Sequence, residues 1–180
     1  CNRQYTYKEL LDLADNIKRA WDYDGLLIDP INSLRKNIKA GSNAYEFSYE
    51  CLTDIRIFCK KYNISTWICC HAVTEALRRK HAANHDFAGQ PMPPSIGDAE
   101  GGAVNGNRSD DFLIIHRYIY SPDAWMYTRV FSAKVKMQEL GYKPTSFESP
   151  IMFKSIINNV GFEIGGINLI KYKQHKTKLL

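Results

Sequence analysis

No run of about 18 consecutive apolar residues occurs in this 180-residue chain, which excludes a single apolar helix crossing a bilayer. Cysteine is scarce: five residues, at positions 1, 51, 59, 69 and 70. An odd count with one adjacent pair is a poor disulfide framework, so the thiols read as reduced and the protein as soluble and intracellular. Acidic residues stop at Glu163, and Lys171, Lys173, Lys176 and Lys178 follow. That basic run reads as a solvated tail, with nucleic-acid contact as the second reading. There is no internal repeat. There is also no initiator Met: the chain opens Cys1-Asn2-Arg3, which sets the expectation of a portion of a longer protein.

What is present is ordinary for a globular protein. Hydrophobic residues make up 44% and charged residues 24%, which excludes a disordered or fibrous chain. At about 150 residues per domain the length predicts one domain, with or without a tail. Lys and Arg number 24 against 19 Asp and Glu, a net +5 that is compatible with an anionic partner without requiring one.

Thr6-Tyr7-Lys8-Glu9 has the form of a capping box, and Leu10, Leu13, Ala14, Ile17 and Trp21 follow at helical steps, predicting a helix over about 7–20. Gly25-Leu26-Leu27-Ile28 then reads as a strand buried on both faces, ended by Asp29-Pro30. Residues 33–43 read as a polar, basic loop. From Ala44 to Tyr62 the apolar positions track one helical face, and Ser65 to Cys70 reads as a second buried strand with His71 just past its end. Residues 84–108, rich in Pro and Gly, predict a long loop, of the kind usually functional or mobile. Asp111–His116 predicts a third buried strand and Trp125–Lys136 a fourth, with edge strands or a hairpin over 149–153 and 162–170. This order points to an α/β sheet, parallel at first with antiparallel C-terminal strands.

Ligands of open parallel sheets bind outside the carboxyl ends of the strands, where Asp29 and His71 fall. An apolar strand ending in Asp is the Walker B arrangement, whose carboxylate holds Mg²⁺ beside a nucleotide's phosphates; a turn or helix cap is the other reading of Asp29. His71 reads either as a phosphate-sensing group or as a polar strand end. His81 and His85 lie four apart and could share a helical face, but without further ligands at zinc spacing they read as solvated. Cys70-His71 is no thiol–imidazole pair, because neighbours on a strand face opposite sides. Arg78, Arg79 and Lys80 read as a solvated helix end.

The ordered series Leu26-Leu27-Ile28-Asp29-Pro30-Ile31-Asn32, Thr66-Trp67-Ile68-Cys69-Cys70-His71, Gly97-Asp98-Ala99-Glu100-Gly101-Gly102 and Ser109-Asp110-Asp111-Phe112-Leu113-Ile114-Ile115-His116-Arg117 resembles the RecA-like motor domain of replicative hexameric helicases. The likeness is to the DnaB group, bacteriophage primase–helicases and the mitochondrial helicase Twinkle. It covers about residues 7–153. The expected division is therefore 1–153 as the C-terminal portion of a RecA-like P-loop NTPase core and 154–180 as a terminal hairpin or basic tail.

The resemblance implies roles. Asp29 would be the Walker B carboxylate and metal ligand, and Asn32 would stand where the DnaB group has Gln, near the nucleotide. His71 would sense the γ-phosphate. Arg35, Lys36 and Lys39 on one loop, and Asn105, Asn107 and Arg108 on another, would touch single-stranded DNA. Lys134 and Lys136 would act on the neighbouring subunit's ATP, with Lys136 at the position of the arginine finger and Arg129 and Arg117 as nearby alternatives. A lysine keeps the charge there but loses the planar fork.

The string Gly-x-x-x-x-Gly-Lys-Ser/Thr that cradles phosphates is missing from the 180 residues, and the family's catalytic glutamate would lie upstream of Cys1. The implied parent is a Mg²⁺- and ATP-dependent DNA helicase acting as a homo-oligomeric ring, a hexamer by resemblance, in the cytoplasm of a bacterial or phage-infected cell. The 180 residues alone are expected not to turn over ATP. The alternative is a non-catalytic RecA-like remnant that binds nucleic acid or a helicase ring.

Overall fold

Thr6 starts the first helix by satisfying its free amides. Its hydroxyl accepts from the Glu9 N–H, and the Glu9 carboxylate accepts from the Thr6 N–H, closing a capping box on α1 (Tyr7–Ala20). Asn43 and Glu46 repeat the device at α2 (Ala44–Tyr62), which ends on Asn63 in the left-handed region. Between the helices runs β1 (Gly25–Ile28), and after them β2 (Ser65–Ile68) pairs with it in parallel, Leu27 opposite Trp67 and Ile28 opposite Ile68.

The computed structural model describes residues 3–38, 41–140, 143–156 and 160–170. Lys39 and the basic run from Lys171 to Lys178 lie outside the described residues. Two compact units emerge: one comprises Cys1–Val73 with Gly97–Ser109, the other Thr74–Ile96 with Asp110–Leu180. The position 153/154 falls inside a strand of the second unit.

The first unit is an α/β layer. Tyr7, Ile28, Cys51 and Ile55 form one buried cluster, with Leu26 and Ile68 packed on it; Ala14, Phe58 and Ile64 form another. Each large apolar side chain so buried contributes roughly 1.5–3 kcal/mol. A short helix, α3 (Thr74–Arg78), opens the second unit, while α4 (Ala103–Arg108) belongs to the first. Gly102 enters α4 at φ 71°, a conformation that side chains with a Cβ rarely adopt.

The second unit is an antiparallel sheet of β3 (Phe112–His116), β4 (Tyr127–Lys134), β5 (Ile151–Ser155), β6 (Phe162–Ile164) and β7 (Ile167–Asn168), in that spatial order. Gly165 and Gly166, both at positive φ, make the two-residue turn between β6 and β7 that such hairpins favour. The α/β class, parallel strands first and antiparallel strands after, is as the element order implies.

Three expectations are corrected. The apolar strands are not buried on both faces: Leu27, Trp67 and Ile115 are 63%, 61% and 68% exposed. In β1 and β2 the residues of one face pack on the helices while their neighbours in sequence, facing the other way, do not. Residues 84–108 are not loop throughout, because 103–108 is helical despite Gly106 and two Asn. Val104, fully buried, and Asn105, whose side-chain amide donates to the Glu100 carbonyl, hold that turn where propensity does not. His81 and His85 share no helical face, since α3 ends at Arg78; their rings stack instead, and His81 is half-buried.

Candidate functional site

The parallel pairing of β1 and β2 carries the residues that follow each strand to one corner. The Cys69 N–H donates to the Ile28 carbonyl at 2.9 Å, and the Ile31 N–H donates to the Cys69 carbonyl at 3.0 Å, so the pairing continues past the strands. Asp29 sits in this knot as an exposed carboxylate, at the start of an X-Pro step that leads into a 3₁₀ turn over Ile31–Ser33. The Cys69 thiol hydrogen-bonds it; partial burial, and then the charge of Asp29, hold that thiol's pKa above its ordinary value.

His71 is fixed by its backbone. Its N–H donates to the Asn32 side-chain oxygen at 3.1 Å, and its carbonyl accepts from the Glu100 N–H at 2.8 Å. The glycine-rich segment is thereby tied to the strand end, with Val73 N–H on the Asp98 carbonyl at 2.8 Å and a bridge between Ala72 and Ala99. Asp29, Asn32 and His71 therefore lie in one corner. Asn32, with its oxygen on the His71 amide, is a positioning group in this arrangement.

The expected strand-contacting residues are placed unevenly. Arg35 and Asn107 are exposed. Lys36 pairs with Glu100 at 2.9 Å, both about half exposed, and beside them lies a cavity of about 40 Å³ among Tyr7, Asn32, Cys51 and Asn105. Sequence reasoning missed Glu100, whose place between Asp98 and two glycines is the only signal it offers. Arg108 is turned inward: its guanidinium lies 3.8 Å over the Tyr49 ring, donates to Thr53, and keeps its Nε buried without a partner. Asn105 bonds the main chain at Glu100 and Gly102.

In the second unit, Lys134 ends β4 opposite Phe112, next to an irregularity in the pairing. Lys136 follows, its Nζ 2.6 Å from the Asp110 carboxylate and its N–H on Asp111. Of the alternatives to Lys136, Arg117 donates to the Trp125 carbonyl at 2.7 Å. Arg129 is held over the rings of Phe87 and Tyr118, and its Nη1 is buried without a partner. An arginine so enclosed does not serve as a surface finger.

Among the described residues no group of three or more His, Cys, Asp or Glu side chains is arranged to hold a metal ion. A single exposed carboxylate with a free face suits Mg²⁺, which keeps most of its waters and takes other ligands from phosphates. The residues thus fit the metal end of a nucleotide site. The four cysteines described, Cys51, Cys59, Cys69 and Cys70, are all free thiols. No described helix is long and apolar enough to cross a membrane.

No family model matches the sequence, and no curated protein matches it. In structure the chain is similar to a solved helicase ATPase domain, with a TM-score of 0.67 at 12% identity, covering 88% of this chain and 51% of that one. It is similar also to a DnaB-like replicative helicase described with its interactions with primase, with a TM-score of 0.65 at 12% identity, covering 88% of this chain and 35% of that one. The chain spans about half the length of the first and about a third of the second. The fold is that of RecA-like helicase ATPase domains.

Proposed function

We propose that this chain is the portion of a DnaB-like, ATP-driven ring helicase that carries the magnesium carboxylate, the γ-phosphate sensor, the strand-contacting segments and the trans-acting cations. The observation that supports this most is the meeting of Asp29 and His71 beyond the carboxyl ends of β1 and β2, where open α/β sheets place their ligands. Asp29 would hold Mg²⁺ through water; the bound ion supplies positive charge against the phosphates. A neutral His71 donates one hydrogen bond to a phosphate oxygen, from a backbone that Asn32 and Glu100 hold in place.

Lys134 and Lys136 would act at the neighbouring subunit's nucleotide. Lys136 must leave Asp110 to do so, and it offers a point charge rather than a fork. Arg35, Lys36, Lys39, Asn105, Asn107 and Arg108 would contribute to the single-strand path. Lys36 exchanges Glu100 for a phosphate on binding, while Arg108 supports the path from beneath through α2.

The test is ATP hydrolysis. A polypeptide joining a Gly-Lys-Ser/Thr phosphate loop to these 180 residues is expected to show single-strand-stimulated turnover. Asp29→Ala is expected to lower it by roughly 10²–10³-fold, the scale of losing one fixed electrostatic contact in a transition state. Magnesium-dependent turnover by the 180 residues alone, abolished by Asp29→Ala, overturns this division of labour. Salt-dependent single-strand binding with no nucleotide binding in either polypeptide supports the non-catalytic remnant instead.

A further inference from the structure

Residues 79–92 leave the second unit and return to it at one point. The Met92 N–H donates to the Arg79 carbonyl at 2.9 Å, the His81 N–H to the Gln90 carbonyl at 3.0 Å, and the Gly89 N–H to the His81 carbonyl at 3.1 Å. A closed loop of this kind needs side chains to attach it to a scaffold. Here they are aromatic rings and imidazoles. Phe87 stacks on Tyr118 with centroids 3.7 Å apart and planes 9° apart, and the Arg129 guanidinium of β4 lies 4.8 and 4.6 Å from those two rings. His81 Nε2 is 2.8 Å from the Tyr118 hydroxyl, and His85 stacks on His81 at 3.8 Å. His116 of β3 meets the Tyr118 ring edge-on at 4.6 Å and bonds the Pro91 carbonyl.

The cluster has no place for another proton. His116 Nε2, Arg129 Nη1 and Gln90 Oε1 are all buried without a hydrogen-bond partner, and His116 stands opposite Arg129 in the β3–β4 register. Protonating Nε2 would create a buried cation with no acceptor, beside a fixed one. The charges acting on His116 are those of Arg129 and His81, and His85 acts on His81. Lys80 and Asp86, on the loop itself, are exposed, and Tyr118 is a phenol that burial keeps neutral.

We propose that residues 79–92 form an acid-released strap, fastened to β3 and β4 by neutral imidazoles and lifted when the His116–His81 cluster gains protons while the sheet stays folded. The sign follows from the direction of the shifts. Burial, then Arg129, push His116 down to about 4 from an ordinary 6.5, and burial, then His85, lower His81. The attached state binds fewer protons, so its advantage is complete above about pH 6.5 and is lost progressively toward about pH 4.

Amide hydrogen exchange by NMR on the 180-residue chain, expressed as protection factors from pH 7.5 to 4.5, tests this. The amides of His81, Gly89, Gln90 and Met92 are expected to lose about tenfold or more of their protection between pH 7 and 5, while those of the β4–β5 ladder keep theirs. His116→Phe keeps a neutral ring and is expected to reduce the loss to a few-fold. In the unsubstituted chain the His116 ring protons are expected to titrate below pH 5, which decides the matter if His116→Phe does not fold. Strap protection that is constant with pH, strap and ladder lost together, or a His116 that titrates near 6.5 overturns the proposal.

Discussion

Unit 1 buries Tyr7, Ile28, Cys51 and Ile55 together and leaves Asp29 and His71 exposed where its strands end, whereas unit 2 carries His116 and Arg129 into its body beneath Phe87 and Tyr118. The first arrangement separates stability from chemistry, because the charged groups add little to packing and can bind or release ligands without disturbing it. The second merges them, because each buried polar atom is held only as long as its neighbours keep their charge state. The two units should therefore differ less in how they respond to a cavity than in how they respond to acid.

The largest expected effects are those of cavities. Phe131 and Ile55, each 3% exposed, are the core residues to truncate; Phe131→Ala should cost about 3–5 kcal/mol and Ile55→Ala about 2–5. Urea unfolding read by amide signals of each unit measures both, and a loss under about 1 kcal/mol in either would mean that the site collapses to fill the gap. Acid comes next and should separate the units. In unit 2 the depressed His116 contributes stability that is complete above about pH 6.5 and lost on the way to about 4, of the order of 2–3 kcal/mol. In unit 1 the shifted groups are carboxylates. The Thr6 main-chain and hydroxyl bonds hold Glu9 down to about 2, and Lys61, then Tyr62, hold Asp15 down to about 2. Their contribution is present above the ordinary carboxylate range, near 4, and is lost only as the pH falls toward 2. Unit 2 signals should move first in an acid titration followed by NMR; the reverse order would sink the comparison.

Smaller effects sharpen it. Thr6→Ala opens the capping box of α1 and should cost about 0.5–2 kcal/mol by urea unfolding while letting the Glu9 pKa return toward its ordinary value. Glu100→Gln and Lys36→Gln break an exposed pair, and each should change stability by no more than about 0.5 kcal/mol. Their effects on single-strand binding should be opposite. Lys36→Gln should lower the salt slope by about one, and Glu100→Gln should tighten binding, both read by fluorescence anisotropy of a labelled oligonucleotide.

Much of unit 1 is legible in the amino-acid sequence, because its signals are local. Thr6 with Glu9 marks the start of α1, the apolar spacing from Ala44 marks α2, and short apolar runs ended by Asp29 and His71 mark strand ends. Less is legible where the outcome depends on distant partners. The turn over 103–108 is helical because Val104 and Asn105 find contacts that outweigh glycine. Arg108 carries the sequence character of a phosphate contact, yet stacks on Tyr49 from α2. Glu100 gains its place beside Lys36 and His71 only when the chain closes on itself.

The order of strands and helices, their caps, and the presence of one carboxylate and one imidazole just past two parallel strands were determined by the amino-acid sequence, since each depends on residues within a few positions of one another. The tertiary structure alone decided which faces are covered, which cations are tied to Glu100, Asp110 or aromatic rings, and that His81, His85 and His116 gather with Arg129. Those outcomes come from packing between segments far apart in the chain, and no local spacing encodes which partner a charged or aromatic side chain will meet.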